Sequence, residues 1–186
     1  MVVQRLQLTR WVSVLTRIFA TGVIAWGAQA TPAQAAAVLE QIGAFTAAEA
    51  NQGVGVDRDY FCAVDNAAIG KSDKRSGKRV KKWQGVKGGA IEHLDSAMVM
   101  DGRVCVAHSN YRKWPMTSSV EIFDAVTMEH MGRHSFGVQW GSLTWMDRHD
   151  RHWWMTFAKY DRLLGPNKTP YGHKANTVMV KFASDF

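Results

Sequence analysis

Three histidines carry the chemistry this sequence offers: His93, His108 and His134. Imidazole serves as an acid or base near neutral pH, or as a metal ligand. Each lies in or beside a polar segment: KGGAIEHLDS (87–96), HSNYRKWPMTSS (108–119) and HSFGVQWGS (134–142). The same segments supply Asp95, Asn110, Tyr111, Ser118 and Ser142, and the cations Arg112 and Lys113. If these segments gather on one face, the three imidazoles and their polar neighbours form a shared site. His108, His134 and His93 are then the catalytic candidates, and Asn110, Tyr111, Arg112, Ser118 and Ser142 the substrate-binding ones. Trp114 and Trp140 could stack on a ligand there. The competing reading makes each histidine a hydrogen-bonded loop residue. No H-x-x-x-H pair is expected on one helix, and nothing in the histidine spacing is diagnostic of a metal, so no metal and no cofactor are assigned. G-x-S-x-G, the P-loop and G-x-G-x-x-G are absent, which argues against a nucleophile-elbow hydrolase and a nucleotide enzyme.

Short alternating runs bounded by Gly, Asp and Asn must position these segments. Gln52–Asp57, Tyr60–Asp65, Ile69–Asp73 and Arg79–Trp83 form one set of strands. Ala97–Met100, Arg103–Ala107, Ser119–Asp124 and Met128–Ser135 form a second. Leu143–Asp147, His152–Ala158 and Thr177–Phe182 form a third. Val38–Phe45 reads as a leading strand or a helical start. The sets repeat internally. Cys62 and Cys105 occupy matching second strands, 43 residues apart. Asp73 and Asp124 close matching third strands, and each precedes a polar turn, DKRSGK or DAVTMEH. Asp101-Gly102 is a hairpin signal, and Asp147–Asp150 is expected to do the same work in the third set. The expected fold class is therefore all-β, with four-stranded antiparallel blades of the β-propeller type. About three blades are present, so the ring is expected to be incomplete. A β-sandwich is the alternative with a similar strand count. In a propeller, the connections from second to third strand and from blade to blade open on one face, which gathers the histidine segments with VDNAA (64–68) and 159–177.

The chain has 186 residues, 11% aromatic with eight Trp, and a formal charge of +7. Arg5, Arg10 and Arg17 contribute three of those charges, all within the first 35 residues, which hold no acid. The remainder favours a small anionic ligand and does not indicate nucleic acid. Residues 1–35 read as a signal peptide: a basic start, an apolar run from Ile18 to Ala28, and Ala33-Gln34-Ala35 as a small-x-small cleavage site. The run is short for a membrane span, so no stable span is expected after processing, although a permanent anchor is the other reading. Residues 36–186 form the domain, exported to the periplasm or beyond. Cys62 and Cys105 sit in equivalent strands of neighbouring blades and are expected to remain free thiols. The basic run Lys71, Lys74, Arg75, Lys78, Arg79, Lys81 and Lys82 reads as a solvated edge that blocks aggregation, with an anion site as the alternative.

The segments YFCAVDNAAIGKSDKRSGKRV, GGAIEHLDSAMVMDGRVCVAHSNYRKWPMTSSVEIFD and HSFGVQWGSLTWMDRHDRHWWMTFAKYD resemble a group of bacterial exported β-propeller proteins commonly called cycloisomerases. The likeness runs from Gln52 to Phe182. It implies intramolecular lactone formation or opening on an unsaturated carboxylic acid. His108 and His134 are then candidate acids or bases, and Arg112 and Lys113 hold the carboxylate. Relatives in that group are longer, so the chain resembles a truncated member, and Lys159 stands where a histidine is expected. The same face would serve a non-catalytic propeller that binds a ligand or a protein. Open blade edges imply self-association.

Overall fold

The computed structural model describes residues 39–160, 163–164, 169–170 and 174–183. The expected signal peptide lies outside them. The fold is all-β, with three antiparallel sheets and no α-helix among the described residues.

The first sheet has the order β1 (Gly53–Val56), β2 (Tyr60–Asp65), β3 (Ala68–Asp73), β4 (Arg79–Gln84). The second repeats it with β5 (Leu94–Met100), β6 (Arg103–Ser109), β7 (Ser118–Asp124) and β8 (His130–Gly137). The third holds β9 (Ser142–His149), β10 (His152–Ala158) and β13 (Val178–Phe182), in the order β13-β10-β9. β11 (Leu163–Leu164) and β12 (Thr169–Pro170) form a separate two-stranded ribbon, and one 3₁₀ turn follows at Lys174–Asn176. The expected leading element over Val38–Phe45 is not formed at residues 39–45. Leu39 and Ile42 are exposed, and packing begins at Phe45, which stacks on Phe61, followed by buried Glu49, which pairs with Arg79.

Matching turns impose matching hairpins. Asp73 accepts from the backbone N–H of Arg75 and Ser76. Asp124 accepts from Val126 and Thr127 in the same way. Each turn closes with an N–H four residues on, from Gly77 or Met128, donating to the Asp carbonyl. Gly77 (φ 69°) and Met128 (φ 63°) take the same left-handed conformation. The β5–β6 hairpin turns on Asp101 (φ 48°) and Gly102 (φ 73°). The β9–β10 hairpin turns on Asp150 (φ 49°) and Arg151 (φ 60°), so β9 runs two residues beyond the expected Asp147.

The second sheet lies between the other two. One core joins Cys62, Val64 and Ile69 of the first sheet to Val104, Val106 and Phe123 of the second. Another joins Cys105, Ala107 and Val120 of the second to Leu143, Trp153, Met155 and Phe157 of the third. The strands β1, β5 and β9 run side by side. A Cβ on Gly53 would lie 2.8 Å from the Ser96 Cα, and the Met146 N–H donates to Ser96 Oγ at 3.0 Å. Cys62 and Cys105 face different cores and are free.

Candidate functional site

The loops that precede β5 and follow β6 meet the β2–β3 turn around a cavity of about 390 Å³. Gln52, Asn66, Glu92, His93, Tyr111 and Arg112 line it. Backbone bonds hold His93 in place. The Leu94 N–H donates to Asn66 O at 2.8 Å, and the Ser109 N–H donates to His93 O at 3.0 Å.

The tautomer of His93 follows from its neighbours. Asn66 Nδ2 donates to Asp65 Oδ1 at 3.1 Å, so Asn66 Oδ1 points the other way. That oxygen accepts from Gln52 Nε2 at 3.1 Å and lies 2.6 Å from His93 Nδ1. His93 Nδ1 therefore carries the proton, and Nε2 presents its lone pair. Nε2 faces the Asp95 carboxylate at 3.5 Å. Burial lowers the His93 pKa, with Arg112 adding to the effect and Glu92 opposing it. Burial pushes the Asp95 carboxyl up to about 6. Burial thus moves the two groups towards each other, the imidazole down and the carboxyl up.

The rim is cationic. Lys113 Nζ holds both oxygens of Glu92, at 2.8 Å and 2.6 Å, which cancels that charge. Arg112 lies by the Tyr111 ring, 5.7 Å from its centroid, and pairs with no carboxylate among the described residues. Its backbone is left-handed (φ 75°). Asn110 makes the loop possible: its Oδ1 accepts from the Thr117 N–H and its Nδ2 donates to Pro115 O, which braces both ends. Tyr111 packs on His93 at 4.8 Å and on Tyr160 at 5.2 Å, so the third sheet's exit also reaches this rim.

The structure brings His93, Tyr111 and Arg112 together, with Asn110 as support. His108 lies beneath the cavity, buried. Its Nε2 accepts from the Glu92 N–H at 3.3 Å, which leaves the proton on Nδ1. Nδ1 lies 2.9 Å from Ser119 Oγ, and that hydroxyl donates to Glu121 Oε1 at 2.7 Å. Fully buried Glu121 is also held by His130 at 2.7 Å and Arg133 at 3.4 Å. Burial keeps the His108 pKa well below that of a free imidazole, against the pull of Glu121. Both nitrogens are committed to the fold.

His134 is on the other side of the second sheet. Paired residues of an antiparallel sheet share a face, and neighbours along a strand alternate. His134 pairs with Val120 and Val120 with Ala107, whereas His108 pairs with Ser119. His134 therefore faces the third sheet, edge-on to Phe136 at 4.9 Å. Ser118 and Ser142 are buried between the second and third sheets, where Ser142 Oγ donates to Ser109 Oγ at 2.8 Å. Trp140 packs on Phe157 and Phe182 within that core, while Trp114 is half-exposed. Lys71 is no part of a solvated edge. It is buried, donates to Ala125 O at 2.6 Å, and sits 3.9 Å over the Tyr60 ring. Asn66, Gln52, Glu92 and Tyr160 are site residues that the sequence did not single out. The Asp65-Asn66 pair was readable only as a turn.

No family model matches the chain, and no curated protein matches it. Among solved structures, the computationally designed Ika4 protein aligns with a TM-score of 0.36 at 10% identity, over 63% of this chain and 92% of that one. The designed Ika8 protein aligns with a TM-score of 0.33 at 11% identity, over 70% of this chain and 45% of that one. At these scores neither likeness bears on fold or function.

Proposed function

We propose that the chain is an exported protein whose three sheets act as propeller blades, and that the His93–Arg112 cavity takes a small unsaturated carboxylic acid or its lactone. The observation that carries this reading is a neutral imidazole clamped by Asn66, facing Asp95, beside a guanidinium with no carboxylate partner among the described residues. Resemblance to the exported cycloisomerases supports it. So does the meeting of the β2–β3, β6–β7 and inter-sheet loops at one cavity, as a propeller arranges them.

In this reading one substrate carboxylate rests on Arg112. In the forming direction a second carboxylate oxygen bonds to one alkene carbon, and the alkene electron pair takes a proton from the His93 imidazolium at the other. In the opening direction His93 Nε2 removes that proton, the double bond re-forms, and the C–O bond breaks to release the carboxylate. Asp95 balances the imidazolium while it exists. His93 thereby takes the acid–base role that the resemblance gave to His108 and His134.

The test is turnover of unsaturated dicarboxylic acids and their lactones, followed by proton NMR. His93→Asn should lower kcat by ~10²–10⁴-fold with KM little changed. Arg112→Gln should mainly raise KM. Lys81→Gln, on the exposed β4, should change neither. Turnover that survives His93→Asn ends the catalytic reading. The second reading, a non-catalytic anion-binding site, predicts ligand heat in calorimetry without turnover, abolished by Arg112→Gln and kept by His93→Asn.

A further inference from the structure

We propose that copies of the chain join head to tail, the outer face of the first sheet in one copy packing on the outer face of the third sheet in the next. This rests on the stacking of the sheets and is independent of the chemistry assigned to the cavity.

The argument comes from the repeat. Aligning Cys62 with Cys105 makes β2 and β6 equivalent, and the two-residue hairpins make β6 and β10 equivalent. Each sheet then has two faces with a fixed role. The front carries Phe61 and Ala63 in the first sheet, Val104 and Val106 in the second, and Trp153 and Met155 in the third. The back carries Cys62 and Val64, then Cys105 and Ala107, then Trp154 and Thr156. Twice within the chain, the back of one sheet packs on the front of the next. The same joint is therefore made between the first and second sheets and again between the second and third. Among the described residues, one front and one back remain without a sheet on them, at the two ends of the stack.

Both ends are apolar. The front of the first sheet forms a groove of about 360 Å³ lined by Phe45, Val54, Val56, Phe61, Ala63 and Lys74. Val54 and Val56 are 55% and 56% exposed, though their equivalents in the second sheet, Ala97 and Val99, pack on the first core. The back of the third sheet presents Trp145 (41% exposed), Trp154 and Met179 (62%), which adjoin through the pairs Trp145↔Thr156 and Thr156↔Met179. Asp147 and Lys181 flank Trp154 on that same face, one on each neighbouring strand, so its two charges offset and the surface between them is aromatic. A second copy is the occupant because it brings the one surface built to the pattern that each end lacks.

A heterologous joint has a decisive test. The masses of the full chain and its variants are measured by analytical ultracentrifugation across a dilution series. The unaltered chain should exceed monomer mass. Val56→Glu, which spoils every front, and Trp145→Glu, which spoils every back, should each be monomeric while keeping the near-ultraviolet spectrum of the folded chain. Mixed in equal amounts, they still hold one intact back and one intact front. They should form a one-to-one dimer and nothing larger. Met179→Glu replaces Trp145→Glu if the latter does not fold. A monomeric parent chain, association that survives both single variants, or no dimer on mixing would each overturn the proposal. The last two results also distinguish joining through the sheets from association through any other part of the chain.

Discussion

A residue's worth in this chain depends on the face it lands on. His108 lies in one of the segments that carry the resemblance, yet its Nε2 is taken by the Glu92 N–H and its Nδ1 by a buried chain that runs through Ser119 to Glu121. His108→Ala should therefore unfold the chain more readily rather than remove a catalytic group. The expected loss is ~1–3 kcal/mol, because the Ser119 hydroxyl and the Glu92 N–H are left short of a partner. Ser119→Ala should cost a similar amount, and the double variant less than the sum, since the two act through one chain. Urea unfolding midpoints at unchanged slope measure this, and additive losses would show that the chain is not a unit. The sequence singled out segments 64–68, 87–96 and 108–119, which line the cavity, but could not rank their histidines against that of 134–142. A strand's two faces alternate residue by residue, so only the pairing of Val120 with His134 and Ser119 with His108 reveals that these two point apart. His93 was legible as a candidate; its clamp, Asn66, was not, because an Asn after Asp in a short turn carries the same signal whether or not it holds a neighbour.

At the scale of elements, the turns set the hairpins, and they were the most readable feature. Asp73 and Asp124 recur with the same hydrogen bonds because an Asp side chain two and three residues ahead of free N–H groups caps a turn wherever it occurs. The Ser76 hydroxyl, with the backbone bonds, holds the Asp73 carboxyl below the usual Asp range, and the Thr127 and Val126 N–H groups do the same for Asp124. The Asp101-Gly102 hairpin was legible for the same reason. Its counterpart was misplaced by two residues because Arg151, at φ 60°, gives no sign in sequence that it will turn left-handed. That strain is a lever. A non-glycine residue pays ~1–2 kcal/mol in this conformation, and glycine returns part of the gain through its freer unfolded chain. Arg151→Gly should stabilise by about 0.5–1 kcal/mol, raising Tm by roughly 1–4 °C for a domain of this size. Gly102→Arg, the reverse exchange in the equivalent turn, should lower it comparably. Scanning calorimetry of both variants checks the pair, and an Arg151→Gly protein with a lower Tm would mean that the Arg151 side chain outweighs its backbone strain.

At the scale of the molecule, the three larger sheets among the described residues are held by two apolar cores, and each core buries one thiol. Burial raises the pKa of Cys62 and Cys105 from 9.0 to about 11 in each case. His93 and His108 are shifted down, also by burial, and Asp95 is raised to about 6. The sign of each shift gives the pH profile of stability. Below about pH 6.5 the unfolded histidines take up protons that the folded ones resist, so stability falls with falling pH. Asp95 opposes this, because its folded carboxyl binds a proton near pH 6 while the unfolded one waits until about pH 4, and it offsets part of the acid loss. On the alkaline side the unfolded thiols ionise from about pH 8.5–9 and the folded ones hold their protons, so stability falls as pH rises through that range. Holding each proton up to about pH 11 makes each thiol account for on the order of 2–3 kcal/mol once the pH passes the folded pKa. Tm measured from pH 5 to pH 11 should therefore form a plateau near pH 7–8 and descend on both sides. Tyrosines and lysines also titrate at the alkaline end, so the parent chain is compared with Cys62→Ala/Cys105→Ala. The double variant loses some packing and starts from a lower plateau, but its alkaline descent should be distinctly shallower while its acid descent stays the same. Equal alkaline slopes in the two proteins would mean that the thiols ionise in the folded chain, and that the cores around them admit water.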